Sequence, residues 1–193
     1  MAQIISQDLD RFGPVRSMWA GALLTGMRSG ELYALEWRDI DWDNRRMFVS
    51  KSWNGRLKQY TSTKAGYWRE VPISDELERL LRDLQAGAGD RKYVYPRIIA
   101  WQRGEAAGIL RQFCEGIGMT SIKFHTLRAC FATQLLRDSV APVIVMKICG
   151  WKDLITMQKY IRLSGLEIEG ATASLKILPP KDVMGRVVQL FSP

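Results

Sequence analysis

His125-Thr126-Leu127-Arg128-Ala129-Cys130-Phe131-Ala132-Thr133-Gln134-Leu135-Leu136-Arg137 is the stretch around which the rest of this chain falls into place. The segment reads as a helix, on which His125 and Arg128, at i and i+3, project from one face a turn apart. Together they can donate hydrogen bonds to one anionic group, and phosphate suits the planar guanidinium, whose N–H groups meet its oxygens in pairs. An isolated His-x-x-Arg is better read as a structural pair. Its neighbours along the chain change that balance.

Upstream, Val15 to Thr25 reads as an apolar helix, Gly13-Pro14 marking its start and Gly26 its end. A short helix from Ser29 to Leu35 follows, with Ser29 as the expected N-cap, so Arg28 falls in the tight connection between the two. Downstream, helices are expected over Pro142 to Cys149 and Ile155 to Arg162, with Gly150-Trp151 between them and Tyr160 nine residues after Trp151.

These segments carry a family resemblance. Thr25-Gly26-Met27-Arg28-Ser29-Gly30-Glu31-Leu32 resembles the first-arginine box of the tyrosine recombinases, the phage integrase family. His125 to Leu136 resembles the second-arginine box, and Gly150-Trp151 with Tyr160 resembles the nucleophile segment, all in the family's order. The resemblance implies site-specific DNA recombination, in which Tyr160 would attack a phosphodiester to give a 3′-phosphotyrosyl enzyme and a free 5′-hydroxyl, with strand exchange and religation to follow. It further implies that Arg28 and Arg128 hold the non-bridging oxygens, with Glu31 orienting Arg28. Lys64, ahead of Arg69-Glu70-Val71-Pro72, matches the family's hairpin lysine and would protonate the departing 5′-oxygen, with Lys51 and Lys58 as rivals for that role. His125 would transfer a proton or hydrogen-bond the phosphate. Trp151 stands where most members carry a second histidine; its indole N–H can donate but cannot shuttle a proton, so it is assigned phosphate binding and packing. Ala129-Cys130, where the family often has a polar residue, alters no catalytic assignment. Tyr33, Tyr60, Tyr67, Tyr93 and Tyr95 lack the nucleophile's spacing.

The chemistry is sound without the family. A phenol with an ordinary pKa near 10 is a poor nucleophile until nearby cations and a proton acceptor favour the phenolate. The chain has a single histidine, and its three cysteines, Cys114, Cys130 and Cys149, show no C-x-x-C spacing. The expected cations are therefore side chains, and no metal or cofactor is expected. Two alternatives stand beside recombination: type IB topoisomerase-like cleavage and religation, and a DNA-binding module without activity.

Charge points to a polyanionic partner. The 193 residues carry 28 Lys and Arg against 20 Asp and Glu, a net charge of +8. Between Arg45 and Arg69 lie seven cations (Arg45, Arg46, Lys51, Arg56, Lys58, Lys64 and Arg69) and no acid. Lacking a compensating anion, they are expected to face double-stranded DNA, with Arg45, Arg46, Lys51, Arg56 and Lys58 as contacts. Trp53, Tyr60, Tyr67 and Trp68 interleave with them, either to touch DNA or to cover a sheet, and Trp68 is expected to cover.

The expected fold is mainly α within an α+β class: a helical catalytic domain carrying one small antiparallel sheet, with turns at Asn54-Gly55 and Ala65-Gly66. Ser74 is expected to cap a helix reaching Gln85. Further helices are expected over Gln3 to Asp10, Arg103 to Gly116 and Glu167 to Leu175; Pro179-Pro180 sets off a last apolar piece, Val183 to Phe191, and Lys92 to Trp101 is ambiguous. By resemblance the catalytic domain spans residues 1–178. Residues 179–193 form a tail that packs on its own domain or docks on a neighbouring protomer, and the family's N-terminal DNA-clamping domain has no match. The expected assembly is a homotetramer on DNA and a monomer in isolation, without membrane contact, in the bacterial cytoplasm at the nucleoid.

Overall fold

The computed structural model describes residues 13–55, 57–62, 68–95 and 105–165. Lys64, Arg56, Tyr67, the Ala65-Gly66 turn, the expected helices over 3–10 and 167–175 and the apolar piece over 183–191 lie outside the described residues.

Helix α1 (Gly13–Thr25) presents Val15, Met18, Trp19 and Ala22 to the core at helical spacing. Gly26 ends it with φ 62, and a Cβ there would lie 2.4 Å from the Phe131 ring, so only glycine fits this turn. Helix α2 (Ser29–Ala34) follows. Its N-cap is Arg28, not the expected Ser29, because Glu31 reaches back to accept the Arg28 backbone N–H at 2.7 Å.

The expected single sheet divides into two. Strands β1 (Ile40–Asp41), β2 (Arg46–Val49) and β5 (Arg69–Pro72) form an antiparallel sheet in the order β1-β2-β5, and β3 (Lys51–Asn54) and β4 (Gln59–Ser62) form a separate hairpin. In the β2–β5 register, Met47 faces Val71 and Val49 faces Arg69. Met47, Val49 and Val71 are buried, so alternation also turns Arg69 inward. The hairpin pairs Trp53 with Tyr60, rings 5.0 Å apart, and Trp53 packs on Tyr33 of α2. Within the ambiguous run, Tyr93 bridges to Glu36 and Val94 donates to the Leu35 carbonyl.

Helix α3 (Asp75–Ala86) starts at Ser74, whose Oγ accepts the Leu77 N–H, and packs Leu77 and Leu81 inward. Helices α4 (Ala106–Gly116), α5 (Phe124–Arg137), α6 (Pro142–Cys149) and α7 (Leu154–Ser164) complete the described structure. Two hydrophobic clusters result. The larger joins α1, α2, the three-stranded sheet, α3 and α4 to Leu127 of α5, and the smaller gathers Ala132, Leu136, Val145, Cys149 and Met157 from α5, α6 and α7. Helix α5 spans both. Arg128 sits next to Leu127, at the junction between them.

Among the described residues no helix is long and apolar enough to cross a membrane, and no cluster of His, Cys, Asp or Glu could hold a metal ion.

Candidate functional site

Arg128 is buried, and its guanidinium donates to the carbonyls of Gly26 and Cys149. One side chain on α5 thereby ties the turn that presents Arg28 to the C-terminal end of α6. Burial lowers the pKa of this guanidinium, the nearby Cys149 counteracts, and Arg28 lowers it further. Its cationic carbon lies 5.3 Å from the Trp151 ring centre. Trp151 in turn stacks on Tyr160, centroids 4.5 Å apart and planes within 10°. Arg128, Trp151 and Tyr160 therefore form one continuous contact built from α5, the α6–α7 connection and α7.

Asp153 positions the last of these elements. Its carboxylate caps α7, accepting the Thr156 N–H at 2.7 Å and the Thr156 hydroxyl at 3.1 Å, and these bonds lower its pKa. Tyr160 follows two turns on, half-buried, its ring covered by Trp151.

Arg28 comes to the site from the other side. It lines a cleft of about 950 Å³ together with Arg69, Trp68, Trp151, Lys147 and Lys152. Its side chain is 53% exposed, whereas Glu31 beneath it is only 2% exposed. Glu31 accepts from Arg28 Nη1 at 3.0 Å and, through both oxygens, from Arg69 Nη1 and Nη2 at 3.0 and 2.7 Å. Burial by itself would raise this carboxyl. The hydrogen bonds and charge of Arg69, joined by those of Arg28, outweigh burial and hold it below the ordinary carboxylate value. Glu31 thus touches Arg28 as expected, within a wider network that the sequence did not suggest.

His125 stands one turn before Arg128 on α5, exposed to solvent. Among the described residues it makes no hydrogen bond or ion pair with the two arginines. Neither His125 nor Tyr160 lines the cleft; Trp151 is the group common to the cleft and the tyrosine.

The expectation of uncompensated cations is corrected for four of the seven. Arg45 pairs with Asp75 and, at 3.4 Å, with Glu78. Arg46 pairs with Asp41 at 3.1 Å and Glu70 at 3.3 Å, and Lys51 with Glu36 at 2.9 Å and Asp39 at 3.5 Å. Arg69 is bound to Glu31. The anions come from segments just before and just after the basic run, which folding packs against it. Lys58, exposed in the β3–β4 turn, has no ion pair among the described residues. Trp68 also departs from expectation: it is 60% exposed at the cleft rim and leans on Phe48, centroids 5.9 Å apart. Strand alternation explains this, since Trp68 and Glu70 point away from the face that buries Arg69 and Val71.

Arg69, Lys147 and Lys152 are cleft residues that sequence reasoning missed as site residues. A signal existed for Arg69: the alternation Arg69, Val71, Ile73 puts an arginine on the buried face of a strand, where it needs a partner.

The model of the phage integrase family matches residues 14–166. The chain is 24% identical over 149 residues to tyrosine recombinase XerD of Neisseria meningitidis serogroup B, covering 76% of this chain and 49% of that protein. The fold resembles the Tn1549 transposon integrase in complex with circular intermediate DNA, with TM-score 0.72 and 17% identity, covering 96% of this chain and 64% of that one. It also resembles the catalytic domain of bacteriophage HP1 integrase, with TM-score 0.64 and 18% identity, covering 91% of each chain. The chain spans half or less of the length of the curated relatives it matches. With the matched region running from the start of α1 through the end of α7, the chain belongs to the phage integrase family.

Proposed function

We propose that this chain is the catalytic domain of a tyrosine site-specific recombinase acting on double-stranded DNA. The observation that carries this is the contact of Arg128, Trp151 and Tyr160 beside a cleft lined by Arg28. In the reaction, the Tyr160 phenolic oxygen attacks the scissile phosphorus and the P–O5′ bond breaks, leaving a 3′-phosphotyrosyl enzyme. The phenolic proton passes to His125 or solvent, and Lys64 protonates the departing 5′-oxygen. Arg28 and Arg128 neutralise charge on the non-bridging oxygens as it builds in the transition state. Trp151 supports Tyr160 by stacking and can offer its indole N–H to the phosphate. Reversal by the 5′-hydroxyl of a partner strand reseals the backbone and conserves the bond energy.

The cleft suits this substrate, because Arg28, Lys147 and Lys152 give it a cationic wall. Lys58 and Arg56 are the proposed outlying phosphate contacts. Arg45, Arg46 and Lys51 join them only as their carboxylates release them. The active assembly is a homotetramer on two duplexes, working at the nucleoid. The relatives are recombinases and integrases, and a type IB topoisomerase is not favoured.

The test uses nicked suicide duplexes drawn from a randomised-sequence library. Wild type is expected to yield a denaturant-stable, protease-sensitive protein–DNA adduct that Tyr160→Phe abolishes. No adduct from wild type, or an unchanged adduct from Tyr160→Phe, overturns the proposal. Lys64→Ala should lose the adduct and regain it on a substrate whose 5′ leaving group needs no proton.

A further inference from the structure

We infer that Arg69 is a positioning residue of the strand-cleavage site, setting Arg28 through Glu31 and fixing, through Ile148, the helix end from which Trp151 follows. This rests on the recombinase reading above and adds to it a residue for which that reaction has so far had no role.

Arg69 uses all three of its guanidinium nitrogens. Nη1 and Nη2 hold the two oxygens of Glu31, and Nε donates to the Ile148 carbonyl at 2.7 Å. Its side chain is 10% exposed. The fork therefore joins β5 to α2 and to the C-terminus of α6 at once. Glu31 then passes the constraint on: besides Arg69 it holds the Arg28 backbone N–H and the Arg28 Nη1. A carboxylate held by both oxygens from one side has little freedom to turn, so the arginine that shares those oxygens is fixed with it.

The helix end completes the case. An α-helix leaves its last four carbonyls without helical partners. Here Met146 O accepts the Trp151 N–H at 3.0 Å, Lys147 O accepts the Gly150 N–H at 3.2 Å, Ile148 O takes Arg69, and Cys149 O takes Arg128. Two guanidiniums thus occupy the negative end of the α6 dipole, shortly before the residue that stacks on Tyr160. Gly150, with φ 65, lets Arg69 lie flush on the turn, since a Cβ there would stand 3.0 Å from Arg69 Cδ. Arg69 is consequently the one described side chain bonded both to the carboxylate that holds Arg28 and to the helix end that Arg128 also caps. A lysine at 69 keeps the charge but can supply neither the two-pronged grip nor the Nε bond in one geometry.

The test compares wild type, Arg69→Lys, Arg69→Gln and the double variant Glu31→Gln/Arg69→Gln, which removes both buried charges and keeps the fold testable if Arg69→Gln unfolds. Thermal melting and DNA anisotropy are measured beside single-turnover adduct formation on the nicked duplex, and the Glu31 carboxyl is titrated by 13C NMR. The charged groups facing Glu31 are Arg28 on its own helix, Arg69 from β5 and Arg128 from α5, with the Cys149 thiol from α6 also near. Arg69→Lys is expected to keep a cooperative melting transition and to bind DNA within about twofold of wild type while forming adduct at least tenfold more slowly. The acid limb of its adduct formation should lie at higher pH than in wild type, and the double variant should lack that limb. A wild-type rate and pH profile in Arg69→Lys overturns the proposal. A Glu31 titration that moves upward in Arg69→Lys supports it, and an unmoved one overturns it, whatever the DNA does. Wild type forming no adduct at all defeats the recombinase reading, while the titration still decides the role of Arg69.

Discussion

Glu31 is the residue on which most of the site's electrostatics converge, and its carboxyl carries a pH signature. Its pKa in the folded protein lies below the ordinary 4.5, so its interactions favour the folded state above that value and fade as pH falls through the folded pKa. The stability gap between wild type and Glu31→Gln should therefore be widest above about pH 4.5 and narrow as the solution is acidified, as read from urea midpoints. Asp41, Asp75 and Asp153 also have lowered pKa values and contribute to the slope of both proteins, so the difference between the two curves reports Glu31. Gly26 gives a second prediction at this scale. Alanine there meets both the left-handed backbone and the Phe131 ring, and the change should cost roughly 1–3 kcal/mol in denaturant unfolding. Because the Gly26 carbonyl anchors Arg128, Gly26→Ala should slow adduct formation as well.

At the scale of elements, α5 is the member whose loss would do most damage, because it contributes Leu127 to one hydrophobic cluster and Ala132 and Leu136 to the other. Leu136→Ala empties space in the smaller cluster and should cost about 2–5 kcal/mol by denaturant titration. The substitution should also loosen α6 and α7, the helices that flank Trp151 and carry Tyr160. Helix α7 depends locally on its cap: Asp153→Ala should speed amide hydrogen exchange at Thr156 and Met157 ahead of any global unfolding. Much of this element structure was legible along the chain. Gly26, Ser74 and Pro142 announced helix boundaries because capping and backbone restriction are local physics. The division of the strands into a three-stranded sheet and a separate hairpin was not legible. Strand pairing joins residues such as Ile40 and Met47 with Val71, whose partners are set by where the chain returns and not by their neighbours.

For the whole molecule, the distribution of charge is what folding revised. Seven cations without an acid between residues 45 and 69, in a chain of net charge +8, read along the chain as an exposed cationic face. In the fold, acids from residues 31–41 and 70–78 lie against it, and among the described residues four of its cations are ion-paired. The consequence is measurable in the salt dependence of binding to a nonspecific duplex. Lys58→Ala should lower the log–log slope by about 1, as for a lost phosphate contact, whereas Arg45→Ala should lower it less, because Asp75 and Glu78 already neutralise that guanidinium.

The sequence by itself determined the family boxes and the order of the helices, and through that resemblance it nominated Arg28, His125, Arg128, Trp151 and Tyr160 as candidate site residues. Each of these is recorded in short-range spacing, which helix periodicity and capping translate directly into structure. Only the tertiary structure decided which of those residues meet. It stacked Trp151 on Tyr160 under the Arg128 guanidinium, left His125 exposed a turn away, and turned Arg69 from one cation among seven into the clamp on Glu31. The Arg128–Trp151 and Arg69–Glu31 contacts join residues more than twenty positions apart, and even the nine residues from Trp151 to Tyr160 cross from a loop into helix α7. Their geometry follows from the packing of whole helices and sheets, which no local pattern of residues encodes.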